Sequence, residues 1–383
     1  MKRLSIVLLV MLVALVGILT ACEESTPASS DTSVASTDST KADGDAGEPV
    51  YGGFLTAINE AIPPVIGWPV GMVAGPAGAA VQGILEFLLR ADPEGKVYPW
   101  LAESYEVAED KMSITFTLRQ GIKFHDGSDF NAEVVKWNLD QWIEAKAQPN
   151  WASVEVIDDY EVKVNLNKWE TTALLAFCEN IAPVQMISKE AFDKNGPDWV
   201  KANPVGTGPF IFESFTPEVE LKMVKNPDYW VEGRPYLDGI TLTFVPDPVT
   251  NALVMQAGDA DMSGSPINKL DEYKDLGFTV EAIPEAIWVL VPDTANPNSP
   301  YADKKVREAL EYAIDKEAIA DTLGFGYLEA PYMMAPRSSL VYDADLTPRR
   351  EYDLATAQQL LGEAGYEDGF DTTIYVFPPS QMD

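Results

Sequence analysis

The sequence predicts an α/β fold built as more than one domain, and three observations carry that prediction. The chain has 383 residues, 46% of them hydrophobic, which is enough for a large core and too many for a single small one. Segments of strict apolar alternation, such as residues 111–118, stand beside segments of helical apolar spacing, such as residues 131–142. The stretch 203–262 then brings together a glycine- and proline-rich knot (NPVGTGPF), further turns and two alternating runs at 219–225 and 240–245. Those two runs are expected to rejoin the opening strand near Phe54 and form the sheet around which the chain is arranged.

Composition narrows function before any element is placed. Lys and Arg number 27 against 60 Asp and Glu, a formal charge of −33. That excess repels phosphate backbones and argues against nucleic acid as a partner. It keeps the surface solvated and suits cationic or neutral ligands without selecting one. The two cysteines, Cys22 and Cys178, and one histidine, His125, cannot build a Cys/His zinc site. No metal and no cofactor is expected.

The N-terminus reads as an export signal. Lys2 and Arg3 precede an apolar run over residues 4–19, and small residues follow. The run is short for a membrane span, although an uncleaved membrane helix is the competing reading. Leu19-Thr-Ala-Cys22 resembles the bacterial lipobox, which implies cleavage before Cys22 and lipid on its thiol and new amino terminus. Residues 1–21 are therefore expected to be a lipoprotein signal peptide. Residues 22–47 are Ser, Thr, Ala, Asp and Gly with almost no large apolar side chain, so they read as a disordered linker. With Cys22 lipidated, no internal disulfide can form, and Cys178, beside Ala176, Phe177 and Ile181, is expected to be a small core residue.

The elements then follow in order. Residues 52–57 form an opening strand. Residues 59–78 hold four prolines and Trp68, and an irregular segment of that length is a loop with a job. Residues 79–90 carry Val81, Ile84, Leu85 and Leu88 at helical spacing and predict a helix. In 111–118, Met112, Ile114, Phe116 and Leu118 share one face of a half-buried strand. Residues 121–127 turn, and Asn131 caps a helix that buries Val135, Leu139 and Trp142. Residues 154–157 and 160–166 form a hairpin around Asp158-Asp159, and 171–181 predicts a second helix. Beyond 262, residues 278–283 and 287–291 are strand-like. Asp303 caps a helix with Val306, Leu310, Ala313 and Ile314 buried. Asp315 starts another that ends at Gly324, a suitable C-terminal glycine. Asp353 opens a third, with Leu354, Ala357, Leu360 and Leu361 inward and Gly365 at its end, and residues 372–377 begin a strand.

Four chemical readings fail on the residues present. Catalysis at His125 needs a nucleophile, and no Gly-x-Ser-x-Gly elbow occurs, so His125 is read as a histidine hydrogen-bonded within its turn. Gly206-Thr-Gly208 lacks the lysine of a phosphate loop and is followed by Pro209; its glycines are read as permitting tight approach of the chain. Asp259-Ala-Asp-Met-Ser-Gly264 matches half a calcium loop, but Leu270 stands where the bidentate glutamate should be. An acidic hydrolase would need a working carboxylate pair, and Asp158-Asp159, adjacent in a strand or turn, does not make one.

The ordered motifs LAESYEVAEDKMSITFTLRQGIKFHDGSDFNAEVVKWNLDQW, NPVGTGPF, KNPDYW, PYLDGITLTFV, GDADM and VREALEYAIDKEAI resemble the extracytoplasmic solute-binding proteins of peptide-type ABC importers, family 5. The resemblance runs from about Gly52 to the last residue. It implies a two-lobed, periplasmic-binding-protein-like clamp with the ligand cleft between lobes and an extra subdomain in lobe I. On that basis residues 48–84 and 201–285 form the lobe I core, 85–200 the extra subdomain and 286–383 an incomplete lobe II. Family members continue past the equivalent of Asp383 and carry in that later part an aspartate that grips a peptide amino group, so a C-terminally truncated chain is expected. The resemblance further implies a non-enzymatic, monomeric binding protein on the cell surface or in the periplasm, working with a membrane permease. Peptides or peptide-like solutes are the expected ligand, with a nickel chelate, an oligosaccharide, an opine or a non-functional fragment as alternatives. Ligand-binding candidates are Asn59, Glu60 and Trp68 after the first strand, Gly264 and Ser265 at the crossing, and Trp288 and Asp293 at the approach to lobe II. Glu60 or Asp293 would meet a cationic group, and Trp68 or Trp288 would stack. The family has an asparagine where Asp293 stands, which puts a carried-over contact there in question.

Overall fold

The opening strand, β1 (Phe54–Asn59), lies inside a five-stranded sheet. The computed structural model describes residues 49–71, 76–92, 95–178, 184–264, 267–281, 287, 289–334, 342–343, 345 and 350–375. The chain divides at Pro49, and every element below belongs to the unit Val50–Asp383. From β1 the chain passes α1 (Pro76–Ala79) to β2 (Leu89–Ala91) and β3 (Val97–Pro99), an antiparallel pair. β4 (Ala102–Val107), β5 (Ser113–Leu118), α2 (Ala132–Glu144), β6 (Trp151–Asp158) and β7 (Glu161–Leu166) come next. The short helices α3 (Lys189–Asn195) and α4 (Pro197–Val200) follow. β8 (Phe210–Thr216), β9 (Glu220–Lys225) and β10 (Gly239–Phe244) return the chain to the first sheet. α5 (Pro248–Ala257) and β11 (Met262–Ser263) complete that sheet. Helices α6 (Leu270–Asp275), α7 (Lys304–Ala313), α8 (Lys316–Gly324) and α9 (Leu354–Glu363) occupy the last part.

The large sheet has the order β11-β1-β10-β9-β8. β1 runs parallel to both neighbours, pairing Phe54 with Gly239 and Ala57 with Met262. β9 runs antiparallel to β10 on one side and to β8 on the other. Both runs expected to rejoin β1 enter its sheet, β10 by pairing with β1 itself and β9 by pairing with β10. One apolar cluster joins Phe210, Leu221, Met223 and Phe244 to Ile66, Val81, Ile84, Leu85 and Ile187. A second joins Ile58 to Ala252 and Met255 of α5, with Val245, Ala260 and Tyr273. Burial of this kind contributes roughly 1.5–3 kcal/mol per large side chain.

The second sheet, β4-β5-β7-β6, is antiparallel throughout and packs on α2. Ile114, Phe116 and Leu118 are buried as the alternation predicts, whereas Met112 lies just before β5 and is exposed. Asn131 caps α2, its Oδ1 accepting from Val134 N at 3.1 Å, and Val135, Leu139 and Trp142 are buried. β6 and β7 form the expected hairpin, where Asp158 accepts from Tyr160 N. Cys178 is a buried core residue whose Sγ donates to Leu174 O.

Several expectations are corrected. Residues 80–88 do not form a helix, although Val81, Ile84, Leu85 and Leu88 are fully buried. The carbonyls of Gly83 and Ile84 accept from Phe210 N and Gly208 N at 2.9 and 3.0 Å, so they bond to the incoming 206–210 segment rather than to a helical turn. Glycine is required there, because a Cβ on Gly206 would stand 2.0 Å from Ile84 O. Of 171–181 only Ala173–Phe177 forms a short 3₁₀ turn, and residues 179–181 lie outside the described residues. Asp303, Asp315 and Asp353 cap α7, α8 and α9 as expected. α8 includes Gly324 and ends instead on Phe325, in left-handed geometry with φ 48°. A Cβ on Gly324 would meet Leu328 Cβ at 2.6 Å, so the glycine serves a close packing contact. α7 and α9 bury only Val306, Ala309 and Ala357, and Ala313 and Leu354 are exposed. Their seam is narrow because small residues line it and the flanks are charged, with Lys305 paired to Glu363 and Arg350 to Glu308. Residues 278–281, 289–291 and 372–375 carry no strand pairing, since no neighbouring strand among the described residues offers them an edge.

Glu86 joins the parts. It is 4% exposed, and its two oxygens accept four hydrogen bonds. Trp100 Nε1 and the Tyr229 hydroxyl reach Oε1 at 2.8 Å each; Thr207 Oγ1 and Trp230 Nε1 reach Oε2 at 2.8 and 3.0 Å. Burial pushes its carboxyl up and these donors pull it back toward the ionised form. Burial and the Glu86 charge hold the Tyr229 phenol up, protonated as a donor. The guanidinium groups of Arg90 and Arg119 lie 4.6 and 5.4 Å from the Trp100 and Trp230 ring centroids. Glu86→Gln preserves shape but sets an NH₂ against donors that need an acceptor. It is expected to lower unfolding free energy by about 1–3 kcal/mol in denaturant titration, and an unchanged midpoint would refute the role.

His125 docks the 121–127 turn on the same 206–208 segment. Its backbone N donates to Gly206 O at 2.8 Å, and Nε2 lies 2.9 Å from Gly208 O, which fixes the Nε2–H tautomer. Nδ1 is buried with no hydrogen-bond partner among the described residues. Burial holds the imidazole below its ordinary 6.5. The unfolded chain therefore takes up this proton first, so the contribution is complete above about pH 6.5 and drains as pH falls through the lower folded value. In melts between about pH 7 and 5, His125→Gln is expected to lose less stability than the parent chain. Parallel curves would contradict this.

Candidate functional site

Because β1 is parallel to β10 and β11, the carboxyl ends of three adjacent strands open onto one edge of the sheet. In open α/β sheets that edge is where ligands bind. β1 ends at Asn59, whose Oδ1 accepts from Ala61 N at 3.0 Å and turns the chain. Glu60 follows at once, half-buried, and its Oε1 accepts from Asn251 Nδ2 at 3.2 Å. The same Nδ2 reaches Gly264 O at 3.2 Å, and Ser263 Oγ donates to Asn251 Oδ1 at 2.8 Å. Asn251 is fully buried on α5, which Asp247 caps at its start and Gly258, at φ 74°, ends before the chain enters β11. One amide thus joins the end of β1 to the end of β11.

Burial pushes the Glu60 carboxyl up and the Asn251 amide draws it down. Among the described residues no Lys or Arg forms an ion pair with it. Asp261, just before β11, is bonded to β1 through both its side chain and its backbone. Its Oδ2 accepts from Thr56 N and its own N–H donates to Thr56 O, each at 2.8 Å, which spends the side chain on strand registration. Among the described residues no group of three His, Cys, Asp or Glu side chains is placed to hold a metal, and no helix is long and apolar enough to cross a membrane.

Of the predicted residues, the structure brings Asn59, Glu60 and Gly264 together. Trp68 stands elsewhere in the aromatic packing, stacked on Phe192 at 5.2 Å and edge-on to Trp137 at 6.2 Å. Asp293 is exposed in the extended segment after residue 289. Ser265, Trp288 and Cys22 lie outside the described residues. Sequence reasoning missed Asn251 and Ser263. The available signal was an amide, Asn251, on the face of PVTNALVMQA that also carries Met255.

Comparison with known proteins places these features in a family. The model of the bacterial extracellular solute-binding proteins, family 5 (middle), matches residues 96–382. The glutathione-binding protein GsiB of Salmonella typhi is 36% identical over 307 residues, which cover 78% of this chain. The chain spans 59% of that relative's length. NikA from Brucella suis, solved with Fe(III)-EDTA, superposes with a TM-score of 0.67 at 26% identity, over 82% of this chain and 64% of NikA. The oligopeptide-binding protein AppA from Bacillus subtilis, solved with a nonapeptide, gives 0.63 at 25% identity, over 83% and 65%.

Removing the amide leaves Ser263, Glu60 and the Gly264 carbonyl without their shared partner. Asn251→Leu is expected to cost about 1–3 kcal/mol of stability and to raise hydrogen exchange at residues 262–264. Unchanged exchange there would show that Asn251 does not hold the strand end.

Proposed function

This chain belongs to the bacterial extracellular solute-binding proteins of family 5, and on that premise we propose that it captures peptides or peptide-like solutes for an ABC-type permease. The observation that carries the proposal is the family match over residues 96–382, joined to a preorganised polar group at the carboxyl ends of β1 and β11. Support for a peptide comes from two relatives, one named for glutathione, itself a short peptide, and one solved with a nonapeptide. In this reading Cys22 carries the lipid that holds a monomeric protein outside the cytoplasm, and residues 22–47 are its tether. Residues 48–84 and 201–285 form the first lobe, 85–200 its added subdomain and 286–383 the part of a second lobe.

The mechanism makes and breaks no covalent bond. Two lobes close on the solute and exclude water, so its hydrogen bonds strengthen in a low-dielectric cleft. The permease then distinguishes the closed state from the open one, and the ligand acts by shifting that population. Asn59, Glu60 and Gly264 supply the first-lobe contacts; Ser265, Trp288 and Asp293 complete the set we assign to the cleft, and Trp68, packed on Phe192 and Trp137, is left out of it. A second reading, a metal chelate as solute, is favoured by the likeness to NikA solved with Fe(III)-EDTA.

Titration calorimetry of the full chain against peptides, iron and nickel chelates, oligosaccharides and opines separates these readings. Saturable heat with peptides is the expected result, with a stabilisation near 2.7 kcal/mol at about a hundredfold excess over Kd. Silence across the peptides with binding of a chelate would transfer the assignment to the second reading.

A further inference from the structure

The face at the amino ends of β1 and β10 is exposed and largely apolar, in a chain whose formal charge is −33. Phe54, which opens β1, is 67% exposed, and Tyr51 just before it is 58% exposed. Tyr236 is exposed too and stands edge-on to Tyr51, with ring centroids 5.4 Å apart. The rings are held in place. Tyr51 donates its hydroxyl to Gly233 O at 3.1 Å, and Gly52 N donates to Tyr236 O at 2.8 Å. Phe54 lies on Gly239, where a Cβ would meet its Cε1 at 2.7 Å. Two cations join them: Lys225 Nζ lies 5.6 Å from the Tyr51 centroid, and the Arg234 guanidinium lies 5.7 Å from that of Tyr236. Asp228, Glu232 and Asp238 are exposed nearby in sequence, and Asp238 accepts from Gly53 N. These charges nearly cancel, so the rings set the character of the face. Rings with a polar tip, beside cations on long apolar stems, are the side chains that settle at a membrane–water interface.

The chain attached to this face indicates what covers it. Val50 follows directly on Pro49, where the compact unit begins, and residues 22–47 read as a disordered linker behind a lipid-bearing Cys22. A flexible chain of that length has a root-mean-square reach on the order of 30 Å. A bilayer that holds the lipid is therefore presented to the face at a high effective concentration, and an affinity in the millimolar range suffices to seat it. We infer that Tyr51, Phe54 and Tyr236, with Lys225 and Arg234, seat on the headgroup region of the bilayer that holds the anchor. This rests on the anchored, extracytoplasmic part of the functional reading. The seat lies at the opposite end of β1 from Asn59 and Glu60, about 17 Å away along the strand. A seated molecule thus turns its candidate ligand edge away from the lipid and toward the solvent that brings the solute.

The test uses the processed chain, residues 22–383, which keeps every described element. Cys22→Ser and an amino-terminal histidine tag hold it on vesicles of phosphatidylcholine, phosphatidylglycerol and a nickel-chelating lipid, so the result does not depend on lipidation. Cys178 is buried, so Val50→Cys or Val249→Cys, at exposed positions, takes a polarity-sensitive nitrobenzoxadiazole label alone. Val249, at the start of α5, follows the carboxyl end of β10 and reports the far end of the sheet. On vesicles the Val50 label is expected to brighten and shift to the blue relative to the untethered chain, and the Val249 label to stay unchanged. Tyr51→Ser with Phe54→Ser and Tyr236→Ser should abolish the shift, with thermal melts confirming that the variant folds. Where it does not fold, Lys225→Glu with Arg234→Glu leaves the rings in place and should reduce the shift. A silent Val50 label, equal shifts at both positions, or a shift that survives the substitutions overturns the seat. A label that responds only to native membranes carrying their proteins assigns the face to a protein partner and overturns it as well. None of these outcomes touches solute binding. Absence of lipid on Cys22, read by mass spectrometry of the chain made in bacteria, fails the anchoring reading by itself, whatever the vesicles show.

Discussion

Four separate stretches of this chain meet on one carboxylate, and the first part of the fold depends on that meeting. Glu86 brings its own segment, Trp100 at the start of the second sheet, Thr207 from the glycine-rich return and Tyr229–Trp230 from the turn after β9 into a single buried cluster. Burying a charge costs several kcal/mol before it is paired. Four donors, with guanidinium groups over the two indoles, offset that cost. The hydroxyl of Thr207 reaches the carboxylate because Gly206 and Gly208 let the backbone lie against the carbonyls of Gly83 and Ile84. His125 docks on the same segment through Gly206 and Gly208.

This arrangement explains motifs that sequence reading could recognise but not interpret. NPVGTGPF and KNPDYW contain three of the four donors to Glu86, and the histidine of the FHDG turn binds the Gly208 carbonyl. Such strings mark the places where distant segments must fit together. What was legible without the structure was local: the alternation of β5, the aspartate and asparagine caps, the β6–β7 hairpin and the return of β9 and β10 to β1. Those features are written in neighbouring residues. The segment 80–88 was misread because full burial on all sides and one-sided helical burial give the same apolar spacing, and only the partner chain at 206–210 decides between them. Ala313 and Leu354 were misread for a related reason, since the α7–α9 seam is narrower than the apolar stripes that feed it.

The candidate site shows the same division. Asn59 and Glu60 were legible as the start of the irregular segment after the opening strand, and β1 does end at Asn59. Gly264 could be placed there through its motif. The amide that unites them was not legible, because Asn251 is 191 residues from Glu60 in sequence and is hidden on a helix that otherwise packs apolar side chains. The site is therefore a product of sheet topology: two strand ends are adjacent only because β1 accepts parallel partners on both sides.

That topology also sets an order of assembly. β1 precedes its partner β10 by 185 residues, as the Gly53–Asp238 hydrogen bond records. The antiparallel sheet of β4 to β7 closes within residues 102–166 and needs only local contacts. Loop closure makes the distant pairing slow and the local one quick. A folding chain can thus close the β4–β7 sheet while β1 still exposes both edges. During that interval β1 can pair with a foreign strand, and a chaperone that shields extended segments near the amino terminus would act where this fold is most open to misassembly.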